Sequence, residues 1–338
     1  MRQRLSAWIA CLLILGCLLA GVCIFSLSVG SVGISAKNII SIFFEGKNST
    51  EYNILFNIRL PRILLGFAIG GALSLAGVIS QGMFRNPLVE PYTLGISGGA
   101  ALGVCLNIVL GLGHSAGLIS LPLCGFIGAA LVIALVYSLS RKRGTVKTQS
   151  LLLTGVMISF ICSSLVMLIM AVSRAEDIHG IVFWIMGSLE EPSWGLIKLT
   201  ALISVAGLFV SYIFCSDLNA LSLGEEEASH LGVNVERTKL ALFLLASLLT
   251  GASVAVAGII GFVGLTIPHL VRMVLGSDHR IVLAASFLTG GIFLILCDTL
   301  ARTIISPLEL PVGVITGILG GSLFVYALTR TRTVLGER

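Results

Sequence analysis

Apolar stretches of roughly 18 to 25 residues follow one another along this chain with short polar interruptions. That length matches helices able to cross a hydrocarbon core. The boundaries fall at about 7–29, 60–83, 93–111, 117–140, 150–172, 194–214, 240–257, 259–275, 281–302 and 312–329, the seventh and eighth hard to separate. The pattern predicts an all-α integral membrane protein of about ten transmembrane helices in one compact bundle. Too little chain is left for a separate soluble domain, so 1–338 reads as a single polytopic domain.

Composition sharpens this. A mean hydropathy of +1.05, with 56% hydrophobic and 11% charged residues, excludes an ordinary soluble globular domain. Met1-Arg-Gln-Arg4 before an apolar run resembles a signal peptide, but the run is long for one and no small-residue cleavage site follows. It is therefore expected to be an uncleaved first helix. With the N-terminus inside, fourteen of the 21 Lys and Arg residues fall in inside segments, mainly Arg141–Lys147 and the C-terminal tail. The positive-inside rule then puts both termini in the cytoplasm, and the net charge of +5 reads as topology rather than nucleic-acid binding. Outside, residues 37–56 are expected to form a short amphipathic helix resting on lipid, followed by a polar loop.

The eight cysteines lie in spans or at their ends without a C-x-x-C pair, and the five histidines are dispersed, so neither a disulfide framework nor a metal site is expected. Glycines cluster on the second, third and tenth spans, which suits close helix packing. Ala76-Gly-Val-Ile79 before Pro87 and Ala257-Gly-Ile-Ile260 before Pro268 hint at an inverted repeat.

One segment breaks the apolar pattern. Between Cys215 and Lys239 stand five carboxylates, Asp217, Glu225, Glu226, Glu227 and Glu236. Ser222 and Glu225 have capping-box spacing, the three glutamates suit a helix N-terminus, and Gly232 suits its end. The expectation is a polar helix over 222–232 presented between two spans.

Leu223-Gly-Glu-Glu-Glu-Ala-Ser-His-Leu-Gly-Val233 resembles the coupling loop of the iron-siderophore, haem and vitamin B12 importer permeases, the FecCD family of type II ATP-binding-cassette importers. The same family pattern is seen in Arg59-Leu-Pro-Arg62, Gln81-Gly-Met-Phe-Arg-Asn-Pro-Leu-Val-Glu-Pro91 and Leu94-Gly-Ile-Ser-Gly-Gly99. It returns in Gly261-Phe-Val-Gly-Leu-Thr-Ile-Pro-His-Leu-Val-Arg272, Asp278-His-Arg280 and Glu309-Leu-Pro-Val-Gly313, in that order.

The resemblance implies a permease subunit moving a metal chelate, foremost a ferric siderophore, by alternating access in a bacterial or archaeal cytoplasmic membrane; haem or cobalamin is the alternative within the family. It implies a second copy, or a close paralogue, across a two-fold axis, two ATPase subunits on the cytoplasmic loops around 217–233, and an extracytoplasmic binding protein. Coupling to the ATPases would fall to Leu221, Ser222, Glu225, Glu226, Glu227, Ala228, Leu231 and Gly232. Binding-protein docking would fall to Arg59, Arg62 and Arg302, and the cytoplasmic gate to Asn86, Leu88, Thr148 and Gln149, where Gln149 replaces a small hydroxyl residue. The chain has no G-x-x-x-x-G-K-[ST] phosphate loop, so it is not expected to be an enzyme or to hold a cofactor; ATP and magnesium would bind the partner.

For Arg302 the residues allow a second reading, an i,i+4 ion pair with Asp298; for Arg59 and Arg62 it is headgroup anchoring. Two rival classes also meet the pattern. Gly95-Ile-Ser-Gly-Gly99 fits the G-x-S-x-G of a rhomboid-like intramembrane serine protease, with Ser97 as nucleophile and a histidine such as His269 as base. An ion-coupled secondary transporter would need carboxylates in mid-membrane, and only Asp298, near a span end, is available.

Overall fold

The computed structural model describes residues 2–30, 33–34, 50–112, 119–142, 145–190 and 193–335. Its helices in chain order are α1 Arg2–Ser28, α2 Leu60–Phe84, α3 Ile96–Val109, α4 Ser120–Ser140, α5 Thr148–Val172, α6 Ala175–Met186 and α7 Trp194–Ile213. They continue with α8 Cys215–Leu223, α9 Glu225–His230, α10 Val235–Ala257, α11 Val263–Leu275, α12 His279–Thr303 and α13 Val312–Leu335. Eight of the helices are long and apolar enough to span a membrane, and α3 and α11 are shorter apolar helices at the third and eighth predicted positions. The only strands among the described residues are the two-residue pair Arg141–Lys142 and Thr145–Val146.

The first part of the amphipathic segment expected over 37–56 lies outside the described residues. From Thr50 the chain is helical rather than a polar loop, and a π-helical turn over Ile54–Arg59 feeds directly into α2. Pro61, at the start of α2, has no N–H to offer the preceding turn, which is where a widened register costs least.

The two short spans have local causes. A 3-10 turn over Pro91–Leu94 delays α3 to Ile96. Residues 258–262 are not helical, and Phe262 (φ 68°) caps α11 with a left-handed backbone. The Glu90 carboxylate holds that turn by accepting the Phe262 N–H at 2.7 Å. Ala76–Ile79 lies inside α2, whereas Ala257 is the last residue of α10. The two tetrapeptides therefore do not sit at equivalent positions of their helices.

α2 is the most enclosed helix, buried almost throughout from Pro61 to Phe84. It packs most closely on α12, where a methyl group at Gly70 would run into the Gly290 carbonyl. Next to that crossing Phe67 meets Phe287 edge-on at 5.3 Å. In lipid such approach supplies the packing that apolar burial alone cannot. The outcome is a central pair, α2 and α12, with one end beside residues 85–90, 141–142, 145–147, 215–233 and 276–278. The other end lies beside 29–30, 54–59, 173–190 and 304–311.

Candidate functional site

At the first end α8 and α9 project between α7 and α10. Leu218 and Leu221 are fully buried and carry α8 on to Leu223. The Ser222 hydroxyl therefore donates to the Asn219 carbonyl (2.6 Å) inside the last turn of α8 instead of capping a new helix. The expected capping box is replaced by a break at Gly224 (φ 150°), and α9 starts at Glu225. Gly232 (φ 89°) closes the segment as expected, a backbone state that favours glycine.

Within this segment Leu221 and Ala228 are buried pins, whereas Ser222, Glu226, Glu227, Leu231 and Gly232 face outward. Leu223 and Leu231 are each 66% exposed, a pair of apolar anchors on an otherwise polar protrusion. Glu225 points inward. It accepts from the Thr148 hydroxyl at 2.9 Å and from the Lys239 ammonium at 2.7 Å. Burial opposes ionisation of Glu225, but those two bonds and the nearby charges of Lys239 and Arg85 more than offset it, so its carboxyl titrates below the usual range.

The sequence reading thus put Glu225 and Thr148 in two separate roles, and the fold joins them. It missed Lys239, whose side chain is 5% exposed. Asn86 and Leu88 lie in the turn after α2, where the Asn86 carboxamide oxygen accepts the Leu88 N–H at 2.9 Å. Asn86, Leu88 and Gln149 are exposed at the same end.

At the opposite end the three arginines expected outside are buried, between 2% and 7% exposed. Arg62 donates to Asp298 Oδ1 through Nε (3.2 Å) and Nη2 (2.9 Å), and its Nη1 lies 2.5 Å from Glu309. Arg302 Nε donates to Asp298 Oδ2 at 3.0 Å and Nη2 to Ser26 at 3.0 Å. Arg59 donates to the Leu27 carbonyl. For Arg302 the i,i+4 pair is therefore realised, and in this conformation none of the three offers an open face for docking. For Arg62 and Arg302 the reason is Asp298: a carboxylate at 1% exposure inside a span must be paired, and these two are its cations.

Glu190 and Glu309 stand at the rim of this cluster, on the wall of a cavity of about 470 Å³ shared with Phe183, Trp184 and Leu310. A hydrogen bond to Glu309 and then burial raise the Glu190 carboxyl above the usual range.

Comparison with known proteins decides the family. The profile described as the FecCD transport family matches residues 17–330. The chain belongs to that family. FecCD relatives include the hemin transport system permease protein HmuU of Yersinia pestis, 40% identical over 322 residues (95% of this chain, 96% of that protein). The Fe(3+) dicitrate transport system permease protein FecD of Escherichia coli is 38% identical over 314 residues (93% and 96%). A solved metal-chelate type ABC transporter in an inward-facing conformation superposes with a TM-score of 0.84 at 32% identity, covering 94% of this chain and 98% of its own. The FecCD chain is accordingly a multi-pass transport permease of the ATP-binding-cassette importer class.

The rival classes lose their residues as well. The His269 ring packs on Phe324 with centroids 5.5 Å apart, its Nε2 is buried without a partner, and Ser97 makes no hydrogen bond with it. Asp298 is committed to Arg62 and Arg302 and so is not open for a coupling ion.

Proposed function

We propose that this chain forms, with a second copy, the translocation path of an ATP-driven importer that carries iron within an organic chelate across the cytoplasmic membrane, foremost a ferric siderophore. Two ATPase subunits bind ATP and magnesium and press on α8–α9, which lies with both termini on the cytoplasmic side. A binding protein delivers the chelate at the opposite end, beside Glu190 and Glu309. There an acidic side chain of the binding protein would compete with Asp298 and Glu309 for Arg62.

The observation that carries this reading is the position of Glu225. Its first-turn carboxylate ties the protruding helix to Thr148, the first residue of α5, and to Lys239 in α10. A push on α9 is thereby felt at once by two spans, one of which begins at the gate position. The exposed Leu223 and Leu231 give a soluble partner apolar anchors for that push. Alternating access requires the ATPases to contact the two end states differently, and this segment is where such a difference would act.

Haem is the second reading, favoured by the 40% identity to HmuU over nearly the whole of both chains. The test is uptake into proteoliposomes holding this permease, its ATPase and its binding protein, with ferric siderophores, ferric dicitrate, haem and cobalamin offered singly. ATP-dependent accumulation of a ferric siderophore supports the first reading and of haem the second. A permease that binds no ATPase refutes both.

A further inference from the structure

A second connection leaves the α8–α9 segment from α8, through Asn219. The Asn219 Oδ1 accepts the His279 backbone N–H at 3.0 Å and lies 2.8 Å from His279 Nδ1, while its Nδ2 donates to Asp278 Oδ1 at 3.1 Å. The chemistry fixes the orientation of this amide. A backbone N–H can only donate, and the Asp278 carboxylate, which also caps α12 through the Arg280 N–H (3.0 Å), can only accept. His279 must then carry its proton on Nδ1, so all three bonds from Asn219 are satisfied at once. Burial works against ionisation of Asp278, and the bonds from Arg280 and Asn219 prevail and hold it below the usual carboxylate range.

The junction has little slack. His279 is 2% exposed, and its Nε2 stands against Gly82 of α2. A Cβ at Gly82 would lie 2.9 Å from that nitrogen and 3.1 Å from Leu218 of α8. Three elements therefore meet at one point: the protruding segment and the near ends of α2 and α12. α12 then runs 25 residues, about 37 Å at 1.5 Å per residue, locked to α2 at Gly70–Gly290 and, near its far end, by Arg62, Asp298 and Arg302.

We propose that Asn219 is a positioning residue that couples α8 to the α2–α12 pair, so that nucleotide binding by the ATPases is transmitted to the far end of the molecule around residues 304–311. The proposal rests on the reading that α8–α9 meets the ATPases. It adds a route separate from Glu225: Glu225 reaches α5 and α10, whereas Asn219 reaches the helix that carries Asp298.

Hydrogen exchange read by mass spectrometry on the assembled permease–ATPase complex, with and without ATP, magnesium and vanadate, tests it without knowledge of the chelate. In the wild type, nucleotide should change exchange in 304–311. Asn219→Asp removes the donor and sets two carboxylates face to face, so that difference should be lost. A merely structural Asn219 would loosen 215–223 and 279–285 equally with and without nucleotide and leave the distant difference intact, which overturns the proposal. So does a wild-type complex with ATPases bound but no nucleotide effect at 304–311. If Asn219→Asp does not assemble, Asn219→Ala takes its place with the same expected loss. Failure of any ATPase to bind the wild type refutes the importer reading instead.

Discussion

Replacing Asp298 by Asn separates a structural charge cluster from an open docking surface. Asn keeps an acceptor where Oδ1 receives both Arg62 bonds, but puts an amide donor where Oδ2 now accepts Arg302 Nε at 3.0 Å. Arg62 keeps Glu309, whereas Arg302 is left with Ser26. The side chains of Asp298, Arg62 and Arg302 are 2%, 8% and 5% exposed, so solvent screens little of the loss. Breaking one side of a buried ion pair costs about 3–5 kcal/mol, and the retained Arg62 bonds put this case near the lower end, about 3 kcal/mol. At roughly 2 °C per kcal/mol for a chain of this size, Tm in detergent should fall by about 6 °C. In an Arg302→Met background no charge is stranded, so the same change should cost about 1 kcal/mol or less, a coupling of about 2 kcal/mol. An equal loss in both backgrounds, or hardly any loss in either, would mean that the arginines are solvated and free to dock a partner, and the buried-cluster account would fail.

Three other expectations follow from the charges at the ends. Glu190 has a raised pKa, so its contribution to stability is complete below the usual carboxylate range and disappears as pH rises through the raised value; Glu190→Gln keeps a donor at every pH and should add about 0.5 kcal/mol at pH 8 and nothing at pH 4, checked by Tm against pH. Glu225 is shifted the other way, so its bonds persist above the usual range and weaken only as pH falls through the lowered value. ATP-dependent uptake should therefore show no Glu225-linked step between about pH 8 and pH 5.5, while Glu225→Lys, Glu226→Lys and Glu227→Lys together should abolish uptake and leave the permease in the membrane. Uptake at the normal rate in that triple variant would remove the coupling role.

The spans were legible because lipid imposes one rule on every backbone group it surrounds. α3 and α11 came out shorter than their apolar runs, since hydropathy cannot register the turn at Pro91–Leu94 or the left-handed Phe262. α6 was missed outright, although Glu176 and Asp177 in its first turn followed by Ile181–Met186 carried an amphipathic signal. The Asp298–Arg302 pair could be read because its partners are one helical turn apart. Glu225 with Thr148 and Asn219 with Asp278 could not, being 77 and 59 residues apart and brought together only by packing. The family motifs gave Arg62 and Arg302 an exposure that the buried Asp298 carboxylate denies them.

The central claim, that ATP acts on this permease through the face carrying α8–α9, is tested most directly by the sidedness of transport. Vesicles of defined orientation would hold the permease, its ATPase and its binding protein, with ATP enclosed or added outside and labelled ferric siderophore or haem on the opposite face. The account predicts accumulation only when ATP is on the α8–α9 side, with loss of uptake when that face is masked by a protease-sensitive tag inserted after Gly232. Uptake driven by ATP from the opposite face, or accumulation independent of ATP, would contradict it.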